Sequence, residues 1–295
     1  MKGIDYAIVD TPIEPVTSDD ERPIVKDLID EYRVLIDEMK LGISDDPLYD
    51  STKHDDLWCL RFILSHCKKP TNKKGVSKAI DAGKYTLQFR VKHNLDDKDI
   101  RDMPPEKIKV GPVYEYWRDR CQGDGILTAI PDKKRGAIMF IKFAQMNPNA
   151  TKLLTEETWD YAFIYSSEYV HQWLDYVTRT TGRLTKSIRF IDMKDLNFVK
   201  HFDRASSKRD GKIMNEMEDC YPQLLESIYP FNAPTWMHLI WEFMRPIMPT
   251  RILDKIDIIQ PDTNKTEKRR LYKHIHKKKL PTFLGGKNEI PIQEW

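Results

Sequence analysis

Arg189 is the charged residue of this sequence whose setting has the clearest chemical meaning. It lies in the segment SIRFID, residues 187–192, where the two-residue alternation of a strand places Ser187, Arg189 and Ile191 on one face. A guanidinium that points into an apolar interior is costly unless an anion meets it, so on a buried face Arg189 would favour contact with a phosphate or carboxylate group of a ligand. The alternative is a salt bridge to a protein carboxylate, for example that of Glu168.

Patterns that would support catalysis are absent from the sequence. It contains no GxSxG nucleophile elbow, no GxxxxGK[ST] phosphate loop, no GxGxxG turn and no HExxH zinc motif. The cysteines lack the CxxC spacing of a zinc site, and we expect reduced, mostly buried thiols at Cys59, Cys67, Cys121 and Cys220. We therefore expect no enzymatic activity, no metal site and no cofactor.

The balance of charge predicts a protein without a strong overall electrostatic field. The formal net charge is +2, although 32% of the residues are charged, so any electrostatic function must be local. The basic run at 265–279 lacks the interleaved aromatic residues typical of nucleic-acid binding, apart from Tyr272. The N-terminus does not resemble a secretory signal. We expect a cytoplasmic, monomeric protein that binds no nucleic acid and associates reversibly with membrane surfaces.

Helices are predicted for the first third of the chain. Apolar residues recur there at three- and four-residue steps, which is typical of amphipathic helices. Residues 1–22 mix prolines with acids and are predicted to form a flexible acidic tail. A small N-terminal helical domain is then expected over 23–103, with helices over 24–39, 55–66 and 76–92.

From residue 104 the pattern changes to alternating strands and helices. Strands that are separated by helices predict an α/β fold with a largely parallel sheet under a cover of helices. The main domain is expected over 104–287, followed by a short tail at 288–295. Its strands are predicted over 126–130, 137–143, 187–192, 225–229 and 256–259, and its helices over 156–181 and 205–219.

The segment from Thr235 to Met248 is apolar over most of the circumference of the helix that it predicts. Its ~14 residues are too few to span a bilayer, and Pro246 is expected to end or kink the helix. Such a helix is either buried in a core, or covers an apolar cavity, or touches a membrane surface. Its apolar residues include Trp236, Met237, Ile240, Trp241, Phe243 and Met244, besides Leu239, Ile247 and Met248.

An ordered series of short motifs resembles the C-terminal half of a CRAL-TRIO lipid-binding domain. The motifs occur in the order and spacing of that family: Tyr221-Pro222, Asn232-Ala233-Pro234, Arg245-Pro246, Lys255-Ile256, Leu280-Pro281 and Gly285-Gly286. The segment 58–67 also resembles a helix of the small N-terminal domain of the family. This resemblance covers roughly residues 55 to 287. It implies a mostly parallel sheet that is flanked by helices and encloses an apolar lipid pocket.

The resemblance also implies which residues form the site. The strand face of Arg189 would line the pocket, together with the neighbouring strand and the long helix. Arg251 and Lys255 match two basic surface residues that grip phosphoinositide headgroups in a tocopherol-carrying member. Of the residues that hold phosphatidylinositol in other members only Lys255 is present, because Gln223 and Ile252 depart from the pattern. The implied pocket residues are Ile138, Phe140, Phe163, Ser166, Ser167, Tyr169, Val170, Ser187, Arg189 and Ile191.

The function implied by the resemblance is that of a lipid carrier. Such a protein binds one phospholipid, tocopherol-like or retinoid-like molecule in an internal cavity and transfers or presents it between membranes. Docking on phosphoinositide membranes would bring the apolar segment 235–248, acting as a mobile lid, against the bilayer. The alternative is a lipid-sensing adaptor or regulatory module that does not transfer its lipid and that binds protein partners.

Overall fold

The structure is a computed structural model, and it describes the chain in separate stretches. These are residues 13, 15–101, 128–132, 136–142, 155–197, 199, 204–217, 219–237, 241–242, 245–246 and 250–258, with single positions at 269, 272, 277, 278, 282, 286 and 287. For the two strands at 128–132 and 136–142 the structure describes the backbone. Of the predicted C-terminal motifs, those at 280–281 and at 285 lie outside the described residues.

Three helices form the N-terminal part of the fold. They are α1 (Val25–Ile43), α2 (Asp56–His66) and α3 (Val76–Lys92), with a 3₁₀ turn at Lys73–Gly75. Helix α2 begins where the Asp55 side chain accepts a hydrogen bond from the Trp58 backbone N–H at 3.0 Å, which satisfies one of the free donors of its first turn. The apolar residues that recur at three- and four-residue steps in these helices pack into a shared core. Its fully buried members include Leu35, Ile36, Met39, Leu57, Leu60, Phe62 and Ile63.

A four-stranded sheet forms the centre of the main domain. Its strands are β1 (Thr128–Asp132), β2 (Gly136–Lys142), β3 (Ser187–Asp192) and β4 (Leu225–Phe231), and they lie side by side in that order. Strand β1 is antiparallel to β2, whereas the pairs β2–β3 and β3–β4 are parallel. Ile256 adds an isolated parallel bridge to Ile228. The predicted α/β class, with a mostly parallel sheet and a helical N-terminal region, is confirmed.

Helices connect the parallel strands, as parallel pairing requires. They are α4 (Glu156–Thr181) between β2 and β3, and α5 (Arg204–Met217) between β3 and β4, and a short helix α6 (Thr250–Leu253) follows β4. Helix α4 ends at Gly182, which has a left-handed φ of 65° and donates its N–H to the Thr178 carbonyl. Glycine adopts this conformation without a steric penalty, so it is a suitable residue for the end of this helix.

The chain is packed against the main domain from Asp20 onward. Asp20 and Arg22 are buried and form an ion pair at 2.7 Å. Arg22 also donates a hydrogen bond to the Thr185 hydroxyl at 2.8 Å, just before β3. The last residues of the predicted acidic tail are therefore anchored rather than solvated.

The cysteines that the structure describes are free thiols. Cys59, Cys67 and Cys220 are buried, and burial raises the pKa of the Cys59 and Cys220 thiols to about 12. Cys121 lies outside the described residues. Among the helices described, none has the length and apolar character needed to cross a membrane.

Candidate functional site

A cavity of about 150 Å³ lies where α2, α4, β3, α5, the start of β4 and α6 meet. Three of its lining side chains are basic, namely Arg189, Arg251 and Lys255, and none of the described lining residues is acidic. The polar remainder of the wall consists of Ser65, Ser167, Tyr221 and Gln223, and the apolar remainder of Phe163, Met214, Met217, Pro222, Leu224, Leu225 and Ile252. The wall therefore combines a positive region with an apolar surface.

Arg189 reaches this cavity from the middle of the sheet. Its backbone lies between Met139 of β2 and Ile228 of β4. The Nε atom is enclosed and has no hydrogen-bond partner among the described residues. Burial lowers the pKa of Arg189, yet an arginine stays protonated at neutral pH. A positive charge is thus held beside the cavity with one donor unused by the described part of the protein.

Glu168, the example of a protein partner for Arg189 in the alternative interpretation, pairs with a different arginine. The Glu168 carboxylate accepts hydrogen bonds from both terminal nitrogens of Arg90 in α3, at 2.9 and 3.1 Å. It accepts a third from the Gln172 amide at 2.8 Å. Bidentate pairing with an arginine is a strong interaction, so Glu168 is committed to the contact between α3 and α4.

Arg251 and Lys255 lie on the same cavity wall as Arg189. The Arg251 guanidinium forms an ion pair with Asp219, and its side chain remains 35% exposed. The Lys255 ammonium donates a hydrogen bond to the Leu225 carbonyl at 2.6 Å. A hydrogen bond from the Lys255 N–H to the Ile252 carbonyl continues the turn of α6 and keeps the two basic residues on one side.

The loop before β4 brings Gln223 to the cavity in an unusual backbone conformation. Gln223 has a φ of 61°, which is uncommon for a residue other than glycine and tends to occur at functional sites. Its side-chain amide donates a hydrogen bond to the Ser65 hydroxyl of α2 at 3.1 Å. The helical N-terminal region therefore contributes directly to the cavity wall. The Tyr221-Pro222 motif marks this loop in the sequence, but no sequence signal identifies Ser65.

The predicted pocket residues divide into two groups. Phe163, Ser167 and Arg189 line the cavity. Val170 belongs instead to the core around α4, and the Ser187 hydroxyl is fully buried and donates to the Leu224 carbonyl at 2.8 Å. The remaining described members are half-buried and are not part of the described wall: Ser166, Tyr169 and Ile191.

The register of the sheet differs from the prediction for β2. Ile138 pairs with Ile188, and Phe140 pairs with Phe190. Paired residues of neighbouring strands share a face of the sheet, and successive residues alternate between faces. Ile138 and Phe140 therefore occupy register positions opposite to the face of Arg189, and Met139 takes the position beside it.

The predicted apolar lid is described only in part. Trp236 and Met237 pack in a small cluster with Met193 and Leu196, which follow β3. Trp241 is half-buried, and its carbonyl accepts the Arg245 N–H at 2.9 Å in a helical i to i+4 pattern. Ile240, Phe243 and Met244 lie outside the described residues.

A buried network of charges joins helix α2 to α4. Asp175 of α4 accepts hydrogen bonds from Arg61 of α2 at 3.1 Å and from Arg179 at 2.7 Å. Arg179 also donates to Asp55, the capping residue of α2, at 2.7 Å. His171 is enclosed in the same region, and burial lowers the pKa of His171 to about 4. Sequence patterns do not distinguish these residues from ordinary helix positions, because the partners of each ion pair between α2 and α4 are far apart in the chain.

The chain is similar to known proteins in both sequence and fold. The family profile described as the CRAL/TRIO domain matches residues 125–286, more than half of the chain. The crystal structure of Sfh5 has a TM-score of 0.60 to this chain and covers 90% of each chain at 14% sequence identity. Within the described residues, no group of three or more His, Cys, Asp and Glu side chains is placed to hold a metal ion. The resemblance drawn from the motifs is confirmed: the chain belongs to the CRAL/TRIO domain family.

Proposed function

We propose that this protein binds a single lipid in its internal cavity and carries it between membranes. Membership of the CRAL/TRIO family supports a lipid as the ligand. The observation that carries the proposal is Arg189, whose enclosed Nε has no hydrogen-bond partner among the described residues and which lines a cavity with an apolar wall. An anionic headgroup would meet this charge, and its hydrocarbon chains would meet the apolar side chains.

The size of the described cavity supports the proposal that it holds the headgroup. Pockets that enclose a whole small-molecule ligand measure roughly 300–1,000 Å³, whereas the described cavity holds about 150 Å³. Phe163, Met214 and Met217 line the cavity, so the hydrocarbon chains of the lipid can extend from the headgroup along these apolar side chains. Enclosing the chains is necessary because exposing them to water costs about 0.8 kcal/mol per CH₂ group.

Lipid extraction and vesicle transfer together test this proposal. The purified protein should contain one lipid per chain by mass spectrometry, and it should accelerate the exchange of that lipid between donor and acceptor vesicles. A bound lipid without accelerated exchange would favour the alternative of a lipid-sensing adaptor. Absence of any bound or extractable lipid would refute both the carrier and the adaptor.

We further propose that the apolar segment 235–248 is a mobile lid. Trp236 packs with Met193 and Leu196 in a small cluster of its own, separate from the two larger cores of the described residues. Tryptophan is also favoured at the boundary between water and membrane. Replacing Trp236 with alanine should slow vesicle transfer roughly tenfold, which corresponds to about 1.4 kcal/mol in the barrier.

A matched aromatic truncation controls for general damage. Tyr85 is an exposed aromatic residue of α3, and Tyr85→Ala should transfer lipid at the wild-type rate. Both variants should unfold at nearly the same denaturant concentration as the wild type. Equal transfer rates in wild type and Trp236→Ala would remove the lid role from this segment.

Docking on phosphoinositide membranes is the third part of the proposal. Arg251 faces both the cavity and solvent, and Lys255 lies on the same wall, so a headgroup at a membrane surface can reach both. Each basic residue near an anionic surface contributes about 1 kcal/mol of attraction. Changing both residues to glutamate should weaken flotation with phosphoinositide vesicles by roughly thirtyfold or more.

The control for docking reverses two other exposed charges. Lys26 and Lys92 keep 81% and 65% of their side-chain surface exposed, and their change to glutamate alters the net charge equally. Binding of the wild type should also weaken in raised salt, because the Debye length falls from about 10 Å at 0.1 M to about 3 Å at 1 M. If binding is independent of salt and insensitive to the change at Arg251 and Lys255, docking occurs elsewhere on the protein.

A further inference from the structure

We propose that the segment 4–9 of this chain docks in an open apolar groove along helix α1. The groove has a volume of about 840 Å³, which lies within the range of roughly 300–1,000 Å³ that is typical of ligand pockets. It is separate from the cavity that contains Arg189, because the two have no described lining residue in common. Its occupancy is therefore independent of the proposed carriage of lipid.

Three elements of the fold form the groove. One face of α1 supplies Val25 and Ile29, which lie four residues apart and therefore on the same side of the helix. The start of α2 supplies residues 55–57, and the end of α4 supplies residues 181–183. A hydrogen bond from the Val25 N–H to the Gly182 carbonyl, at 2.9 Å, holds α1 against the end of α4. The groove is thus a built feature of the described fold.

The exposed surface of the groove is mostly apolar. Val16 and Ile24 line it and keep 39% and 40% of their surface exposed, while Val25 and Leu57 are buried beside them. Contiguous apolar surface that faces solvent is typical of a site that another segment or molecule covers.

Charged side chains of the groove have partners within the protein. Lys26 pairs with Asp30 on α1, and Arg33 and Lys40 both pair with Asp56 at the start of α2. These pairs leave little charge for recognising an occupant, and apolar contact remains as the source of affinity. The groove therefore suits an apolar segment better than an acidic or a basic one.

The sequence near the N-terminus contains a segment of this kind. Residues 4–9 read IDYAIV, and they lie outside the described residues. In an extended segment Ile4, Tyr6 and Ile8 would lie on one face, because successive side chains alternate. Six extended residues span about 20 Å, and α1 rises about 22 Å from residue 25 to residue 40, the two ends of its groove face. Segment and groove therefore match in length and in apolar character.

The chain leads from this segment directly to the groove. The Asp20 N–H donates to the Thr17 carbonyl at 3.1 Å, and Val16, just before this turn, lines the groove. Val9 lies seven positions before Val16, and an extended chain covers that separation in at most about 25 Å. A short tether gives an effective concentration in the millimolar range. A weak contact thus suffices for docking within one chain, whereas a second copy or a free peptide lacks this advantage.

Photo-crosslinking of the intact chain tests the docking. With p-benzoylphenylalanine in place of Tyr6, irradiation should link this position to peptides that contain residues 24–33 or 55–57, as identified by mass spectrometry. The same probe in place of Tyr85, an exposed residue of α3, should give no links to these peptides. Absence of groove links from position 6, or links mainly to other parts of the chain, would overturn the inference.

Two substitutions on opposite faces of the segment sharpen the test. In the chain that carries the probe, Ile8→Asp should lower the yield of groove links at least about tenfold, because a carboxylate would have to leave water for an apolar wall. Ala7→Asp adds the same charge on the other face and should keep the yield of the unsubstituted chain. Neither residue belongs to the described cores, so the melting temperatures should stay close to that of the wild type. Equal yields in the two variants would show that the face of Ile4, Tyr6 and Ile8 does not bind the groove.

Irradiation of a mixture of isotope-labelled and unlabelled chains identifies the molecule that provides the groove. Links within one isotopic form are expected at every protein concentration. Links between the two forms that increase with concentration would assign the groove to a second copy and refute docking within one chain. Links to vesicle lipid in place of groove links would assign the segment to a membrane surface and refute it as well. The vesicle transfer assay tests the carrier function separately, so failure of one leaves the other unaffected.

Discussion

Replacing Arg189 with methionine should strongly lower the uptake of anionic lipids and at the same time stabilise the ligand-free protein. The two effects have opposite signs because the same buried charge causes both. Its Nε is enclosed, and burial lowers the pKa of its guanidinium, so the folded protein bears the cost of desolvating it. A ligand anion offsets that cost only when it is bound.

The expected magnitudes follow from buried ions in other proteins. Replacing buried ionic groups with apolar residues of similar volume is often neutral or stabilising by about 1–4 kcal/mol. Loss of hydrogen bonds to a charged group costs about 1.5–3 kcal/mol each, so affinity for an anionic headgroup should fall at least roughly tenfold to a hundredfold. A neutral lipid, such as a tocopherol or a retinoid, should still be accepted.

Bound-lipid profiles and melting temperatures of the ligand-free proteins measure both effects. Arg33→Met is the matched control, because Arg33 keeps 41% of its side-chain surface exposed and lies in α1, outside the described wall of the cavity. It should change neither the lipid profile nor, appreciably, the melting temperature. An unaltered lipid profile in Arg189→Met, together with a lowered melting temperature, would show that Arg189 has a structural role only.

Replacing Asp175 with asparagine should produce the largest loss of stability of any single isosteric change proposed for this protein. Asp175 is 7% exposed and Arg61 is 2% exposed, and Arg179 shares the same carboxylate. Removing the acid leaves the buried Arg61 without its ion pair, although Arg179 keeps Asp55, and breaking a buried pair in this way costs about 3–5 kcal/mol. The contact of α2 with α4 should loosen first, because this carboxylate joins them.

Denaturant unfolding with a surface control measures this loss. Asp97 pairs with Lys53 at 2.6 Å, but its side chain is 71% exposed, and an exposed pair of this kind contributes about 0–1 kcal/mol. Asp97→Asn should therefore unfold close to the wild-type midpoint. A midpoint for Asp175→Asn that matches the surface control would mean that the buried network does not hold the two helices together.

The same network predicts how stability depends on pH. Burial opposes ionisation of Asp175, but attraction to Arg179 and Arg61 outweighs it and holds the pKa of Asp175 well below its usual value. The contribution of the ionised Asp175 to the stability of the folded state is thus complete above the unfolded pKa of about 3.9, and it is lost as the pH falls further. The His171 pKa is lowered by burial to about 4, so the unfolded chain takes up the proton first.

The contribution of His171 is present above its unfolded pKa of about 6.5 and declines as the pH falls toward 4. The difference between the unfolded and the folded pKa of His171 corresponds to about 3 kcal/mol of stability lost between pH 7 and pH 4. Urea unfolding at intervals of pH measures this slope. Stability that stays constant from pH 7 to pH 5 would contradict the buried, neutral state of His171.

The sequence by itself determined the elements of this fold and its family. The helices at 25–43, 76–92 and 156–181 follow from apolar spacing and from local end signals such as Gly182. The strand at 187–192 follows from its composition and length. These features are local, because each depends on residues within one or two turns of chain. The C-terminal motifs are local as well, so their order sufficed to indicate the CRAL/TRIO family.

Only the tertiary structure decided which side chains meet. Arg189, Arg251 and Lys255 share one cavity because parallel strands and their helical crossovers bring distant segments together. The register of β2 against β3 placed Met139, and neither Ile138 nor Phe140, beside Arg189. A shift of one residue exchanges the two faces of a strand, and alternation within one strand does not fix its register against the next.

The partners of buried charges were likewise beyond local patterns. The Glu168 carboxylate is a chemically suitable partner for Arg189. The packing of α3 against α4 instead places this carboxylate against Arg90, which lies 78 residues from Glu168 in the chain. Ser65 joins the cavity through Gln223, across a separation of 158 residues. Pairing of charges depends on distance and burial in the folded state, and a linear pattern supplies only the types of residue that are available.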